Sequence, residues 1–421
     1  MNANVTNVSD YETGYECGKK WDSFRSNYAQ VHGWASLLVC IFGCIANSLN
    51  IAVLTRRDMR SPTNMILTGL AVADLLVMIE YIPYAIHLYL YRRPRRDTFT
   101  YGWAVFVLFH SNFAQVCHTI SICLTLTLAI WRYIAVAHPQ KNHEWCSQRR
   151  TIIAIVGAYL FCPILCIPLY ITTEVRSQIE LLDENGMNVN MTNVRNNNYW
   201  NYSIYNNTSN TTLYFVKLKE TPMVNGMLNE MNFWIYSVVI KLIPCMALTI
   251  LSIKLVIVLL EAKERRKKLT TTALKTNDER LADKATNDQA KMKKKKANRN
   301  MEKERQTDRT TMMLLAVLLL FLLTELPQGV LGLLSVILGS SFFHTCYVML
   351  GDVIDILTLI NSAINFILYC TMSRQFRTTF KQLFCSKWRN LSRWMPIPQQ
   401  PMDNNGNTGA TNHTVTQVTQ V

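Results

Sequence analysis

Four ionisable side chains sit inside stretches too apolar to welcome them. Asp74 lies in LAVADLL, Arg132 in TLAIWRYIAVAHP, Lys241 one turn before Pro244, and Glu325 two residues before Pro327. A charge at the centre of a hydrocarbon layer costs roughly 2.5 to 3.5 kcal/mol on insertion scales, so each needs a counter-charge, hydrogen-bonding neighbours or a task. Asn47, Ser121, Asn361 and Asn365 are neutral polar residues in runs of the same kind. Two chemistries suit the group around Asp74. One is a hydrogen-bonded bundle core. The other is a hydrated cation site, in which the Asp74 carboxylate and the oxygens of Ser121, Asn361 and Asn365 hold a hard ion such as sodium. Hydrolytic chemistry is disfavoured: HEWC lacks a second histidine one turn on, and there is no GxSxG. Nothing points to a nucleic acid.

The elements that must carry these residues are legible from composition. The chain has 421 residues, 49% hydrophobic and only 17% charged, with a formal charge of +15. Its apolar residues fall in seven blocks near 33–55, 63–90, 103–136, 151–172, 233–260, 308–338 and 344–370. Each is long enough to cross about 30 Å of hydrocarbon as a helix. This predicts an all-α membrane protein, a seven-helix bundle. Residues 1–32 are polar, which predicts no cleavable leader and a first span that acts as the targeting signal. Seven spans put the termini on opposite sides, and basic residues crowd the loops that are inside when the N-terminus is outside. The sequons at Asn4, Asn7, Asn190, Asn201, Asn206, Asn207 and Asn210 all fall outside in that arrangement, whereas Asn390 and Asn412 fall inside.

Three regions follow: an extracellular, glycosylated segment 1–32, a bundle 33–385, and a cytoplasmic tail 386–421 that reads as disordered. Within the bundle region, the asparagine-rich outer loop 173–232 reads as a solvated, flexible lid. The charged inner loop 261–307 (EAKERRKK, KMKKKK) reads as helical extensions of spans five and six around a disordered middle, held to anionic lipid. Residues 373–385 predict a short amphipathic helix on the inner membrane surface, with Cys385 placed for palmitoylation. The ending VTQV offers Thr419 and Val421 to a PDZ-type domain. No internal repeat marks a transporter of inverted halves.

In chain order, NSLNIAVL, LAVADLL, RYIAVAHP, the prolines of spans five and six, and NSAINFILY resemble the rhodopsin-like G-protein-coupled receptors over all seven spans. YGWAVFVLFH, CHTISICLTLTLAIWRYIAV and TELPQG are similar to the invertebrate myosuppressin and FMRFamide-like neuropeptide receptors. The resemblance implies an amidated neuropeptide ligand, a heterotrimeric G protein of the Gi/o class, arrestin as a further partner and a plasma-membrane location. It assigns G-protein coupling to Arg132, Tyr133 and Tyr369. It places Glu80, Tyr81, Tyr84, His87, His110, Gln115, His118, Gln328, Asp352 and Asp355 around the ligand cavity. For Lys241 and Glu325 two readings stand: a mutual ion pair across spans five and six, or a Glu325 left to receive a ligand's arginine. A non-peptide ligand is the alternative, disfavoured for amines because span three carries no aspartate where amine receptors do.

Four departures from the resembling family are visible. Trp131 stands where an acidic residue normally precedes the arginine, with Asp308 or Glu304 as candidate substitutes. Glu325 replaces a tryptophan, and Phe366 a proline. Val107 takes the place of the span-three cysteine that normally bridges to the outer loop, and residues 173–232 contain no cysteine. Cys17 and Cys346 are the two cysteines on the oxidising side, so they are expected to pair; the others lie in spans or towards the cytosol and stay reduced.

Overall fold

A computed structural model describes residues 20–91, 93–188, 208–219, 231–232, 234–280, 312, 315–338, 342–347 and 350–385. The chain divides into two compact units, Met1–Thr379 and Phe380–Val421. In the first, seven helices are long and apolar enough to cross a membrane: span one (Asn27–Leu54), span two (Pro62–Leu90), span three (Tyr101–Ala137), span four (Gln148–Thr172), span five (Ile235–Glu261), span six (Leu315–Leu338) and span seven (Gly351–Thr371). Leu38, Ile153, Leu160, Met246 and Leu323 are 62–72% exposed. Side chains of that size facing outward on spans one, four, five and six fit lipid as the surrounding solvent.

Local sequence sets the starts of these helices. Ser61 accepts a hydrogen bond from the Asn64 amide at 3.1 Å, and Pro62 occupies the first helical position, where its missing N–H costs nothing. Ser147 caps span four in the same way. Span one packs on spans two and seven, and span three packs on spans two, four and five. Gly69 lets spans two, three and four approach, since a Cβ there would stand 3.2 Å from Ile155 and 3.3 Å from Leu124. Tyr159 ties span four to the same point by donating to the Gly69 carbonyl at 2.8 Å.

Helical runs extend beyond the apolar blocks. The first helix begins at Lys20, before residue 33, and the fifth continues to Arg280, twenty residues past the apolar block that ends at 260. Span five opens with a π-helical stretch, Ile235–Leu242, in which the Ile243 amide donates to the Val238 carbonyl. Such wide turns mark functional sites often enough to note that Lys241 lies inside this one. Span two ends in a second π-helical turn, Ile86–Leu90.

The outer loop corrects its reading as a flexible lid. It contains an antiparallel hairpin of β1 (Thr173–Leu182) and β2 (Ser209–Leu218), with Thr173 opposite Leu218 and Leu182 opposite Ser209. Val175, Ile179, Phe215 and Val216 supply β-branched and aromatic residues suited to a pleated surface. After β1, Asp183–Gly186 forms a turn in which Gly186 adopts φ 71°, and its carbonyl accepts from the Arg95 amide at 3.0 Å. Arg95 grips Glu180 with two hydrogen bonds of 3.0 and 2.9 Å and lies over the Phe99 ring. The Tyr214 amide donates to the Phe99 carbonyl at 2.9 Å, and Val107 of span three lines a small cavity closed by Tyr214, Phe215 and Val216. Packing and a bidentate ion pair thus hold the hairpin where the resembling family uses a disulfide.

Past span seven, helix Arg374–Phe380 occupies part of the expected amphipathic segment. Phe376 is buried, its ring 5.6 Å from Tyr369 and 5.9 Å from Phe366. In the second unit, the turn Lys381–Cys385 follows, with the Phe380 and Phe384 rings 4.9 Å apart. The side chain of Cys385 lies outside the described atoms. So do Asn4, Asn7, Cys17, Asn190, Asn201, Asn206, Asn207, Glu304, Asp308, Asn390, Asn412, Thr419 and Val421. Asn210 is exposed at the start of β2.

Candidate functional site

At mid-bundle, three spans meet through charge. Lys241 of span five hydrogen-bonds Glu325 of span six, and both residues are fully buried. His118 of span three completes the group: its Nε2 lies 2.9 Å from Glu325 Oε2 and 2.5 Å from Lys241 Nζ. A protonated Nε2 donates to the carboxylate, and a bare one accepts from the ammonium, so the imidazole serves either state. His118, expected around the ligand cavity, is in direct contact with both members of the ion pair. Immediately above, Gly329 and Gly332 bring spans six and five together. A Cβ at Gly329 would stand 3.1 Å from the Lys241 Cβ, and one at Gly332 would meet Ser237. The short separation is what lets a lysine stem reach Glu325.

Nearer the outer end, Glu80 Oε1 lies 2.6 Å from His110 Nδ1. Tyr84 stacks on His110 with centroids 3.9 Å apart and planes at 15°, and Tyr81 meets both rings edge-on. Tyr89 donates to Asp352 at 2.7 Å, and His32 of span one bonds the Tyr81 hydroxyl at 3.1 Å. Asp355 lies against Tyr81 and within range of His110. Gln328 donates to Tyr236. Gln115 is turned to Thr119, 3.2 Å away on its own helix. His87 is committed elsewhere: it stacks on Trp103 at 3.5 Å and bonds the Thr98 carbonyl at 3.0 Å, supporting the outer rim. His32, Tyr89 and Tyr236 are members that sequence reading missed, since nothing in one chain states which helix faces turn inward.

Around Asp74, Ser121 donates to Oδ1 at 3.0 Å and Asn365 to Oδ2 at 3.2 Å. Asn361 makes no hydrogen bond to Asp74 among the described residues; Ser362 occupies that role instead. Asn47 donates to the Ser362 carbonyl at 3.1 Å and so braces span seven against span one. At the inner end, Arg132 and Tyr133 are half-buried and Tyr369 is buried. Trp131 is tied to span four, its Nε1 donating to Thr151 Oγ1 at 3.0 Å, with Thr151 in turn donating to the Ser147 carbonyl. The residue before the arginine therefore anchors span three to span four rather than offering it a charge. On the outer side, Cys346 is disulfide-bonded; its expected partner Cys17 lies outside the described residues.

The mid-bundle group predicts unequal costs for its members. Lys241→Met leaves Glu325 facing His118, which can carry a proton and the balancing charge. Glu325→Gln leaves the Lys241 ammonium buried with no anion, a change of the kind that costs about 3 to 5 kcal/mol. Purified Glu325→Gln should therefore unfold at a lower temperature than Lys241→Met, and fewer copies should reach the cell surface. The reverse order would mean that His118 does not support the carboxylate.

Comparison with known proteins agrees with this architecture. The family described as serpentine type 7TM GPCR chemoreceptor Srw matches residues 34–287 and 288–387. The Caenorhabditis elegans G-protein coupled receptor dmsr-1 is 30% identical over 394 residues, 89% of this chain and 72% of that protein. The Drosophila melanogaster sex peptide receptor is 26% identical, over 85% of this chain and 73% of its own length. The FMRFamide receptor of the same fly is 24% identical, over 89% of this chain and 58% of its own length. A seven-span bundle with polar residues concentrated at its centre and outer end, matched along nearly its full length by receptors, belongs to the serpentine seven-transmembrane G-protein-coupled receptor family.

Proposed function

We propose that this chain is a plasma-membrane receptor, N-terminus outside, for an amidated peptide bearing arginine and phenylalanine, and that it signals through a Gi/o-class heterotrimeric G protein. The observation that carries the reading is the outer group of Glu80, Tyr81, Tyr84, His110 and Asp355, which sets carboxylates among aromatic faces. Carboxylates suit a guanidinium, and aromatic faces suit both a cation and a phenyl ring. Relatives named as receptors for FMRFamide and for sex peptide support a peptide over an amine. At the opposite end Arg132, Tyr133 and Tyr369 take the G-protein contact, an assignment that rests on the resemblance in RYIAVAHP and NSAINFILY. The test is a panel of amidated peptides ending in Arg-Phe, applied to cells expressing the chain and read as inhibition of cyclic AMP. At least one should act at submicromolar concentration, and Arg132→Ala should bind it at the surface without signalling. Full signalling by that variant, or silence of the parent to the whole panel, would reject the reading.

We further propose that Asp74, Ser121 and Asn365, with Ser362, hold a sodium ion in the resting receptor. One carboxylate and neutral oxygens suit a hard monovalent cation. Sodium should then weaken agonist binding severalfold in the parent and leave Asp74→Asn unaffected. An unchanged sodium response in Asp74→Asn would dismiss the site.

A further inference from the structure

The mid-bundle and outer acidic groups differ in how they are balanced. At mid-bundle one carboxylate, Glu325, meets one ammonium, Lys241, and an imidazole, His118. The outer group gathers three carboxylates, Glu80, Asp352 and Asp355, around Tyr84. Its basic neighbours among the described residues are histidines: His110 beside Glu80, and His32 on Tyr81. No described lysine or arginine pairs with any of the three carboxylates. Glu80 is 8% exposed, and its Oε2 is enclosed without a hydrogen-bond partner. Glu325 Oε1 is likewise unbonded, but Lys241 already neutralises that carboxylate. The outer group has an acceptor to spare and a charge unmatched, and a cation from outside would satisfy both.

We propose that the outer group is the seat for the guanidinium of a ligand arginine, received by Asp355 and Glu80, and that Glu325 does not take this role. The inference rests on the peptide reading above and assigns the cation within it. Asp355 is half-buried beside Tyr81, Glu80 is buried with Oε2 unbonded, and Asp352 is engaged by Tyr89. The two receiving carboxylates come from different helices, spans seven and two. A guanidinium presents five N–H donors in a planar fork and can bridge two such acceptors, whereas an ammonium acts as a point charge. The stacked Tyr84 and His110 rings supply a flat wall against which that plane can lie.

The experiment crosses receptor charge with ligand charge. The probes are Phe-Met-Arg-Phe-amide and the same peptide with citrulline, an uncharged isostere, in place of arginine. They are tested on full-length parent, Glu80→Gln, Asp355→Asn and Glu325→Gln receptors, with potency normalised to surface copies. The parent should prefer arginine over citrulline by roughly 10- to 100-fold, the range for charge-assisted hydrogen bonds. That ratio should fall towards one in Asp355→Asn and in Glu80→Gln. It should persist in those Glu325→Gln receptors that reach the surface. A purely structural loss lowers both potencies and leaves the ratio alone, so Asp355→Asn keeps the test decisive if Glu80→Gln folds poorly. An unchanged ratio in both outer variants, or a collapse in Glu325→Gln instead, overturns the seat and leaves the peptide reading standing. A parent that answers neither peptide overturns both.

Discussion

Burying an ammonium and a carboxylate together at the middle of a membrane bundle is affordable under one condition: the two must stay in contact. Lys241 and Glu325 meet that condition across spans five and six, and His118 extends it to span three. Separation of these spans at that depth would strand a charge in a medium that cannot solvate it. Other features are arranged to keep the contact. Gly329 and Gly332 remove the side chains that would hold spans five and six apart, and the π-helical turn carries Lys241 at the contact. In the resembling receptors this level holds an aromatic residue. Here it is an electrostatic joint, and its strength is set by distance and desolvation rather than by ring packing.

Above and below that joint the bundle uses neutral or partly balanced polar groups. Asp74 is held by hydroxyl and amide donors from spans three and seven, so that three helices share one carboxylate without a counter-cation among the described residues. The outer group is acidic in excess and walled by tyrosines and histidines. The hairpin over the outer end is secured by Arg95–Glu180, by Phe99 against Phe215 and by the backbone bond from Tyr214. Because that anchoring is a set of weak contacts instead of one covalent link, the hairpin's stability depends on packing along the whole of β2. At the inner end Trp131 trades charge for a hydrogen bond to Thr151, and Phe366 trades a proline for a ring that packs near Phe376. Val107, Trp131 and Phe366 have become structural contacts, and Glu325 an ion pair.

How much of this was legible in the sequence depended on range. The seven spans were, because a block of twenty apolar residues has one membrane-crossing solution. The start of the first was not, since a helix continues as polar sequence once outside the hydrocarbon, as at Lys20. The continuation of the fifth to Arg280 was legible in the charged inner loop. The possible pairing of Lys241 with Glu325 could be read from their depths relative to Pro244 and Pro327. The third member, His118, could not: cross-helix facing depends on rotation, and one residue turns a side chain by about 100°. The same rotation puts Ser362 rather than Asn361 beside Asp74. The hairpin carried a local signal in TTEVRSQIELL and SNTTLYFVKL, but the asparagine-rich stretch between them dominated the composition of the loop. His87 shows the remaining limit, for its stacking on Trp103 joins residues from different spans.

The joint at mid-bundle is tested most directly by a double-mutant cycle on Lys241→Met and Glu325→Gln, read as the apparent melting temperature of the purified receptor. If the two groups are in contact, the double variant has no stranded charge, and it should melt above Glu325→Gln alone, with a coupling of about 1 to 3 kcal/mol between the two changes. Strictly additive losses, with the double variant melting below both singles, would mean that Lys241 and Glu325 do not meet.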